Sequence, residues 1–346
     1  MRRGRCRRAG EGKIPAGRIL RGFWAILLLC LSCSLAAQNP APASRNSPPA
    51  DRIPGEKELR FALIQDRIRP GDPVTVALAG PIPPGTALRA ILVAGGRRLR
   101  GAAFFPFPET DDGKPPCWAA LLGVPSTIRS GPAQIRIEAG PAVLGDLFLD
   151  IEDRSFVTEE IPLDQANTDI LTQEDPQKTR ESEQLWAILN RGGGNMYSGG
   201  PFIPPLHSTR RTSFFGDRRV FVYTDGSRSQ SIHGGVDYGV PIGTPVWACA
   251  GGRVVLARFR IVTGNSVILE HLPGVYSLYY HLDSIAVSEG QILDAGEIIG
   301  KSGATGLATG PHLHWEIRVA GENTDPDSLV AYPVIDKELI LSKLGF

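Results

Sequence analysis

The sequence predicts a mainly β protein in which two β-rich domains are joined by a helical segment. Residues 58–160 contain short runs of β-forming residues separated by Gly and Pro turns, such as LRFALI, PVTVALA and AQIRIEAG. Residues 207–335 show the same punctuated pattern, whereas QEDPQKTRESEQLWAILN between them is typical of a helix. Each β-rich stretch is long enough to form a core of its own.

The N-terminal 37 residues predict a secretory signal peptide. Residues 1–21 carry eight Arg and Lys against one acidic residue, a net charge of +7, and an uncharged run, FWAILLLCLSCSLAA, follows. This run is too short for a stable membrane anchor and ends in small residues, so cleavage after Ala36 or Ala37 is expected. An uncleaved anchor and lipidation at Cys33 are the alternatives. We therefore expect an exported chain that works in the periplasm or cell envelope.

The charge and cysteine content of the remaining chain are typical of neither a nucleic-acid-binding protein nor a disulfide-stabilised scaffold. Removing +7 from a formal charge of +1 leaves about −6, and no cluster of Lys and Arg remains. Nothing in the sequence therefore indicates a nucleic-acid partner. Outside the leader, Cys117 and Cys249 fall in different predicted domains, which does not indicate a disulfide scaffold.

The chain outside the leader divides into five predicted parts. Residues 38–57 are rich in Pro, Ala and Ser and predict a flexible spacer. The evenly spaced short strands of residues 58–160 predict an immunoglobulin-like β-sandwich, a structural module or a docking site for cell-envelope proteins. The other three parts are a helical and irregular linker (161–206), the second β domain (207–335) and a C-terminal tail (336–346).

The stretch GPHLHWEIRV, residues 310–319, places two histidines in a strand-like alternation. Successive side chains of a strand point to opposite faces, so the apolar residues share one face and His312, His314, Glu316 and Arg318 share the other. The apolar face is predicted to be core. The opposite face directs two imidazoles toward the same place.

Two other segments contribute residues of the same chemical type. In SIHGGVDYGV, two glycines follow His233 and Asp237 comes four residues after it, so the backbone can bend and bring an imidazole and a carboxylate together. His281 ends the strand-like GVYSLYYHL. His233, Asp237 and one histidine of the H-x-H pair would supply three N and O ligands without a thiolate, the set typical of a catalytic zinc. The remaining imidazoles could transfer protons and stabilise an oxyanion.

These motifs resemble the lysostaphin/LytM-type zinc endopeptidases. HGGVD, YYHL and GPHLHWE occur in that order, with SFFGDRR before them and GVPIGTPVWACAGGRVV, GNSVILEH and AGEIIGKSGATGLATG at the intervening positions. The resemblance covers about residues 212–326. It implies that the second β domain is a LytM-type β-sheet groove domain.

The resemblance also implies the site residues and the cofactor. One zinc ion per chain would be held by His233, Asp237 and His314. His281 and His312 would be the catalytic pair that does not bind the metal.

The function implied by the resemblance is that of an exported zinc-dependent endopeptidase. It would hydrolyse peptide cross-links of peptidoglycan with a metal-activated water, and peptidoglycan stem peptides would be its substrates. We expect a D,D-linkage rather than a glycine bridge, because the chain shows no added wall-targeting module. The alternative is a non-enzymatic LytM-like regulator that binds and activates cell-wall amidases. The presence of all five site residues favours the enzyme.

Other polar residues and one irregular segment receive simpler interpretations. His271 is expected to be scaffold, and Glu316 a solvated strand carboxylate, with orientation of a ligand imidazole as the alternative. Asp283 lies two residues beyond His281, but the resemblance assigns no role to that position. Residues 192–206 are expected to be a surface tether, with a lid over the site as the alternative.

Overall fold

A computed structural model describes residues 59–106, 116–191 and 194–346 of the chain. The predicted signal peptide (1–37) and spacer (38–57) lie outside the described residues. All described residues belong to one compact unit, and the architecture is mainly β, as expected. None of the helices in these three ranges is long and apolar enough to cross a membrane.

The N-terminal part of the described chain is built from two antiparallel sheets. Its strands are β1 (Arg60–Leu63), β2 (Pro73–Ala79), β3 (Leu88–Ala94), β4 (Arg97–Ala103), β5 (Phe105–Pro106), β6 (Cys117–Gly123), β7 (Gly131–Ala139) and β8 (Ala142–Ile151). The strand orders are β1-β2-β6-β5 and β4-β3-β7-β8.

The two N-terminal sheets share one hydrophobic core and therefore form a sandwich. Val76 and Leu122 from one sheet and Leu92, Ile135 and Ile137 from the other are buried in the same cluster. Burying each such side chain stabilises the fold by about 2 kcal/mol relative to exposure. The immunoglobulin-like attribution of this sandwich stays a prediction.

A short strand and two helices follow the sandwich: β9 (Thr158–Pro162), α1 (Gln165–Thr172) and α2 (Pro176–Leu189). The side chains of Asp164 and Asp175 cap the two helices by accepting hydrogen bonds from backbone N–H groups of the first turn. The helix expected near residues 173–190 is therefore confirmed as α2. The sequence interpretation did not anticipate α1, which is only eight residues long.

Residues 194–206 pack on the core instead of forming a surface tether. The side chains of Phe202 and Leu206 are both only 2% exposed. The backbone N–H of Tyr197 donates to the carbonyl of His271, and that of Ile203 donates to the carbonyl of Cys249, both at 2.8 Å. The tether expectation was wrong because these apolar side chains give the irregular segment a buried face. None of these contacts involves the five predicted site residues.

Twelve strands of the described chain form the C-terminal sheets: β10 (Arg211–Ser213), β11 (Arg218–Val222), β12 (Arg228–Ile232), β13 (Gly235–Tyr238), β14 (Pro245–Trp247), β15 (Gly252–Arg260), β16 (Gly264–Leu272), β17 (Val275–Ile285), β18 (Ile292–Leu293), β19 (Ile298–Ser302), β20 (Leu313–Val319) and β21 (Glu322–Thr324). The large sheet has the central order β10-β13-β20-β17-β16-β15-β18. A second sheet, β12-β11-β9, joins the linker strand to this part of the chain, with β9 parallel to β11.

Strand β20 lies between β13 and β17 at the centre of the large sheet. Leu313, Trp315, Ile317 and Val319 are fully buried in the core, as the alternation predicted. The other face of the strand carries His314 and Glu316, and both are buried as well. The strand therefore separates an apolar core from a buried polar cluster.

Two short helices end the chain: α3 (Pro326–Ala331) and α4 (Lys337–Leu344). Residues 336–346 were predicted to be a tail. Instead, Asp336 caps α4, and Ile340, Leu341 and Leu344 are buried in the core. The apolar spacing of these three residues gives the short helix a packing face.

The sandwich contacts the C-terminal part beside the loop that precedes β11. The rings of Phe156 and Phe215 meet edge to face at 6.4 Å, and the Arg154 guanidinium lies over both rings. Arg218 donates to the carbonyl of Ser126 in the sandwich at 2.7 Å. These contacts hold the loop of residues 214–217 in place.

Candidate metal centre

Two of the predicted ligands are neighbours across a strand pair. Asp237 on β13 pairs directly with His314 on β20. Side chains of directly opposed residues lie on the same face of the sheet. Asp237 Oδ1 accordingly lies 2.9 Å from His314 Nδ1.

His233 reaches the same point from the residues before β13. Its backbone N–H donates to the carbonyl of Asp217, and its Nδ1 donates to the carbonyl of Phe214 at 2.8 Å. These bonds leave Nε2 as the acceptor nitrogen, 3.1 Å from Asp237 Oδ1 and 3.0 Å from His314 Nδ1. The loop next to the sandwich thus orients the third residue of the cluster.

The donor atoms of His233, Asp237 and His314 all lie within 4.8 Å of one another, and all three residues are buried. Burial alone would raise the pKa of Asp237, but its close interactions with His233 and His314 hold it well below its ordinary value. Burial alone would lower the pKa of His314, yet Asp237 and Glu316 raise it to about 9. Two buried carboxylates therefore favour a positive charge at this point.

Glu316 does not extend into solvent, so the sequence-based interpretation of this residue was wrong. Its Oε2 lies 3.2 Å from His314 Nε2, and its Oε1 accepts hydrogen bonds from Arg318 and from Asn323 Nδ2. Burial would raise its pKa, but the charge of Arg318 and the bond to His314 lower it to about 2. Because β20 is central, its polar face is covered by neighbouring residues. Glu316 therefore orients the imidazole of His314, the alternative that the strand alternation left open.

His281 takes an unusual backbone conformation at the turn of β17. Its φ is 60°, the left-handed region that non-glycine residues seldom adopt. Its N–H donates to the carbonyl of Thr263, and its Nδ1 donates to the carbonyl of Thr305, both at 2.8 Å. Burial and the neighbouring histidines lower its pKa to about 3, so the imidazole is neutral with Nε2 as the acceptor nitrogen.

Gly264 is the residue that lets Thr305 come close enough to hold His281. Its φ is 63°, and a Cβ at this position would lie 2.2 Å from Thr305 Oγ1. Thr305 belongs to the loop between β19 and β20, which also carries His312. A glycine is needed here because any side chain would push this loop away from β16.

His312 lies one residue before the start of β20, in an isolated bridge with Gly303. Its Nδ1 donates to the carbonyl of Gly310 at 2.8 Å, and its Nε2 lies 3.9 Å from Asp237 Oδ1. The rings of His312 and His281 are 4.7 Å apart. Burial lowers the pKa of His312 below its ordinary value. The structure thus brings all five predicted site residues together.

The donor chemistry of the cluster fits a zinc ion. Two imidazole nitrogens and one carboxylate oxygen are a set that catalytic zinc uses, with a further position left for water or substrate. Each of the other imidazole nitrogens already has a partner that fixes its ring, either a backbone carbonyl or Glu316. Such partners orient metal-binding histidines in proteins generally.

Arg219 is a residue of this cluster that the sequence interpretation did not single out. It lies on β11, and its Nη2 donates to Asp237 Oδ2 at 2.5 Å. The only sequence signal was its place in SFFGDRR, one of the motifs that supported the resemblance.

Two other histidines lie elsewhere. His271 is fully buried and bonds to the Gly251 carbonyl and to Ser277 Oγ, both at 2.7 Å. Burial lowers its pKa to about 4. His207 is exposed, with its ring 4.4 Å from that of Trp247. Neither makes contact with the five residues of the cluster.

Comparison with known proteins identifies the domain that carries the cluster. Residues 231–326 match the model of Peptidase family M23. Over 135 residues the chain is 42% identical to a DD-carboxypeptidase/endopeptidase, Mpg, of Neisseria meningitidis serogroup B, covering 39% of this chain and 30% of that protein. Over 112 residues it is 41% identical to the peptidoglycan DD-endopeptidase ShyA of Vibrio cholerae serotype O1, covering 32% of this chain and 25% of that protein.

A solved structure extends the likeness of fold beyond this domain. A protein from Pseudomonas aeruginosa assigned to peptidase M23 matches with a TM-score of 0.53 at 22% identity, covering 78% of this chain and 97% of that one. The matched region spans less than a third of the two curated relatives.

Proposed function

We propose that this chain is an exported zinc-dependent endopeptidase that hydrolyses the peptide cross-links of peptidoglycan, because residues 231–326 match the model of Peptidase family M23. The observation that carries the proposal is the orientation of four imidazoles around one carboxylate. His233, His281 and His312 each donate Nδ1–H to a backbone carbonyl and keep Nε2 as an acceptor, and His314 donates Nε2–H to Glu316.

The two pairs of imidazoles have different tasks. His233 and His314, with Asp237, are the proposed ligands of one zinc ion, because their donor atoms converge. Zinc bound there would lower the pKa of a water ligand and polarise a peptide carbonyl. His281 and His312 are the proposed catalytic pair. Each is neutral near pH 7 because burial lowers its pKa, so its Nε2 can accept a proton or, once protonated, donate to a developing oxyanion.

We further propose that the bond cut is a D,D-linkage. The relatives Mpg and ShyA are DD-peptidases, which supports this choice over a glycine bridge. The substrates would then be peptidoglycan stem peptides joined through D-alanine.

The decisive experiment digests purified sacculi and identifies the fragments by mass spectrometry. We expect cleavage of D-alanyl cross-links that stops when a chelator removes zinc and resumes when one equivalent of zinc is restored. His207→Ala is the matched control, since it removes an exposed histidine outside the cluster. Intact sacculi in the presence of a zinc-loaded chain would refute the endopeptidase and favour a regulator of amidases.

Export to the periplasm or cell envelope is part of the proposal and rests on the charge and apolar pattern of residues 1–37. Cell fractionation followed by N-terminal sequencing tests it. Recovery of an unprocessed chain in the cytoplasm would contradict it.

A further inference from the structure

The two oxygens of the Asp237 carboxylate have separate partners. Oδ1 lies 3.1 Å from His233 Nε2 and 2.9 Å from His314 Nδ1. Oδ2 accepts a hydrogen bond from Arg219 Nη2 at 2.5 Å. One oxygen therefore faces the convergent donor atoms, and the other is held by a guanidinium.

The backbone of Arg219 is held on both sides. On β11 it pairs with Glu159 of the parallel strand β9 and with Ser231 of β12. Its side chain is 18% exposed. The strand that supplies the guanidinium is thus the central strand of its sheet.

The guanidinium of Arg219 makes few other bonds. Among the described residues its hydrogen-bond partner is Asp237, and its buried Nε has none. The next residue back, Arg218, points the other way and bonds to the carbonyls of Gly216 and Ser126. A buried donor without a partner is costly, so a purely structural role does not account well for Arg219.

We propose that Arg219 is a positioning residue for the metal site. By occupying Oδ2, it keeps Oδ1 turned toward His233 and His314, so that Asp237 would present one oxygen to a bound zinc ion. This inference rests on the zinc site of the proposed function and adds a residue to it. A carboxylate with both oxygens free could rotate and take up a second position on the metal that water or substrate requires.

Arg219 has two opposing effects on the affinity for zinc, and a measurement of that affinity shows which of them is larger. Its positive charge repels a zinc ion, which weakens binding, whereas its hydrogen bond fixes the ligand, which strengthens binding. Partners of metal ligands commonly contribute 10–100-fold to metal affinity. If positioning dominates, loss of Arg219 weakens zinc binding; if charge repulsion dominates, the same loss strengthens it.

The test measures zinc affinity of the full chain by competition with a chromogenic chelator. We expect Arg219→Met to bind zinc about 10–100-fold more weakly. Arg219→Lys, which keeps the charge and one donor, should recover part of the loss. Arg228→Met is the matched control, because Arg228 lies on the adjacent strand β12 and pairs with exposed Glu160.

Two outcomes would overturn the proposal. The first is unchanged or tighter zinc binding by Arg219→Met, whatever its effect on the thermal unfolding midpoint. The second is failure of Arg219→Lys to bind zinc more tightly than Arg219→Met. A wild-type chain that binds no zinc would instead refute the proposed function itself. The same wild-type measurement therefore separates the two failures.

Discussion

His271 and His314 are two histidines buried in one sheet, and their surroundings drive them to opposite charge states. His271 on β16 forms hydrogen bonds with neutral groups, the Gly251 carbonyl and Ser277 Oγ among them, and burial lowers its pKa to about 4. His314 on β20 lies between two carboxylates, and its pKa rises to about 9.

The difference shows that burial alone does not determine the pKa of an imidazole. Burial disfavours the charged form in both cases, and only the partners differ. At His271 burial outweighs the hydrogen bond to the Gly251 carbonyl, so the ring is a neutral part of the scaffold. At His314 the charges of Asp237 and Glu316 outweigh burial. A zinc ion bound there would supply positive charge at the same place, so the charge of the surroundings distinguishes the proposed metal site from a core histidine.

The largest effect is expected from removing a proposed ligand. His233→Ala, Asp237→Ala and His314→Ala should each lose zinc and endopeptidase activity together, because each removes one of the three proposed ligand atoms. Zinc content is measured by atomic spectroscopy and activity on purified sacculi. His207→Ala should retain both. Full zinc occupancy in all three ligand variants would contradict the assignment.

Removing one of the catalytic pair is expected to have the next largest effect. His281→Ala and His312→Ala should keep zinc but lose about 10²–10⁴-fold in turnover, the range typical of a positioned acid–base or oxyanion group. Turnover is followed on a cross-linked muropeptide at saturating concentration. A variant that lost zinc along with activity would show that its histidine is a ligand.

That the five proposed site residues lie together could be predicted from sequence because their three motifs are distinctive in composition and order. His312 and His314 are two positions apart, so strand alternation directs both to one face, and His233 and Asp237 are four positions apart, so a glycine bend can bring them together. Arg219 gave no such signal. Its approach to Asp237 depends on the packing of β11 beside β13, which no local pattern specifies. Glu316 did share the histidine face, but its burial depended on neighbours distant in sequence.

The fold was predictable where periodicity was long and less so where segments were short. The alternation of apolar and polar residues in β20 and the helix-like sequence of α2 were both recognisable. Residues 194–206 and α4 were misread because each buries only two or three apolar side chains. So few apolar side chains do not predict burial of a segment unless the surface that they pack against is already known.

Replacing His271, the neutral histidine, is expected to have a smaller effect, which appears in the pH dependence of stability. Because the folded-state pKa of His271 is about 4 and the unfolded value is about 6.5, its stabilising contribution is complete above pH 6.5. It is lost as the pH falls from 6.5 to 4, by up to about 3 kcal/mol. We expect His271→Gln to show a shallower fall in the free energy of unfolding over this range, measured by denaturant titration. Parallel curves for the two proteins would contradict the neutral state of His271.

The smallest effect is expected from Glu316→Gln, which moves the surroundings of His314 toward those of His271. The amide oxygen of the variant still accepts a hydrogen bond from His314 Nε2, but the negative charge of the Glu316 carboxylate is gone. His314 Nδ1 therefore becomes a weaker electron-pair donor to zinc. We expect zinc affinity to fall about 10-fold, at the low end of the range for partners of metal ligands. Asp283→Asn is the matched control, since Asp283 is an exposed carboxylate on β17. If Glu316→Gln bound zinc as tightly as the wild type, Asp237 alone would account for the difference between the two histidines. A 10-fold loss restricted to Glu316→Gln would instead show that the second carboxylate also tunes the ligand.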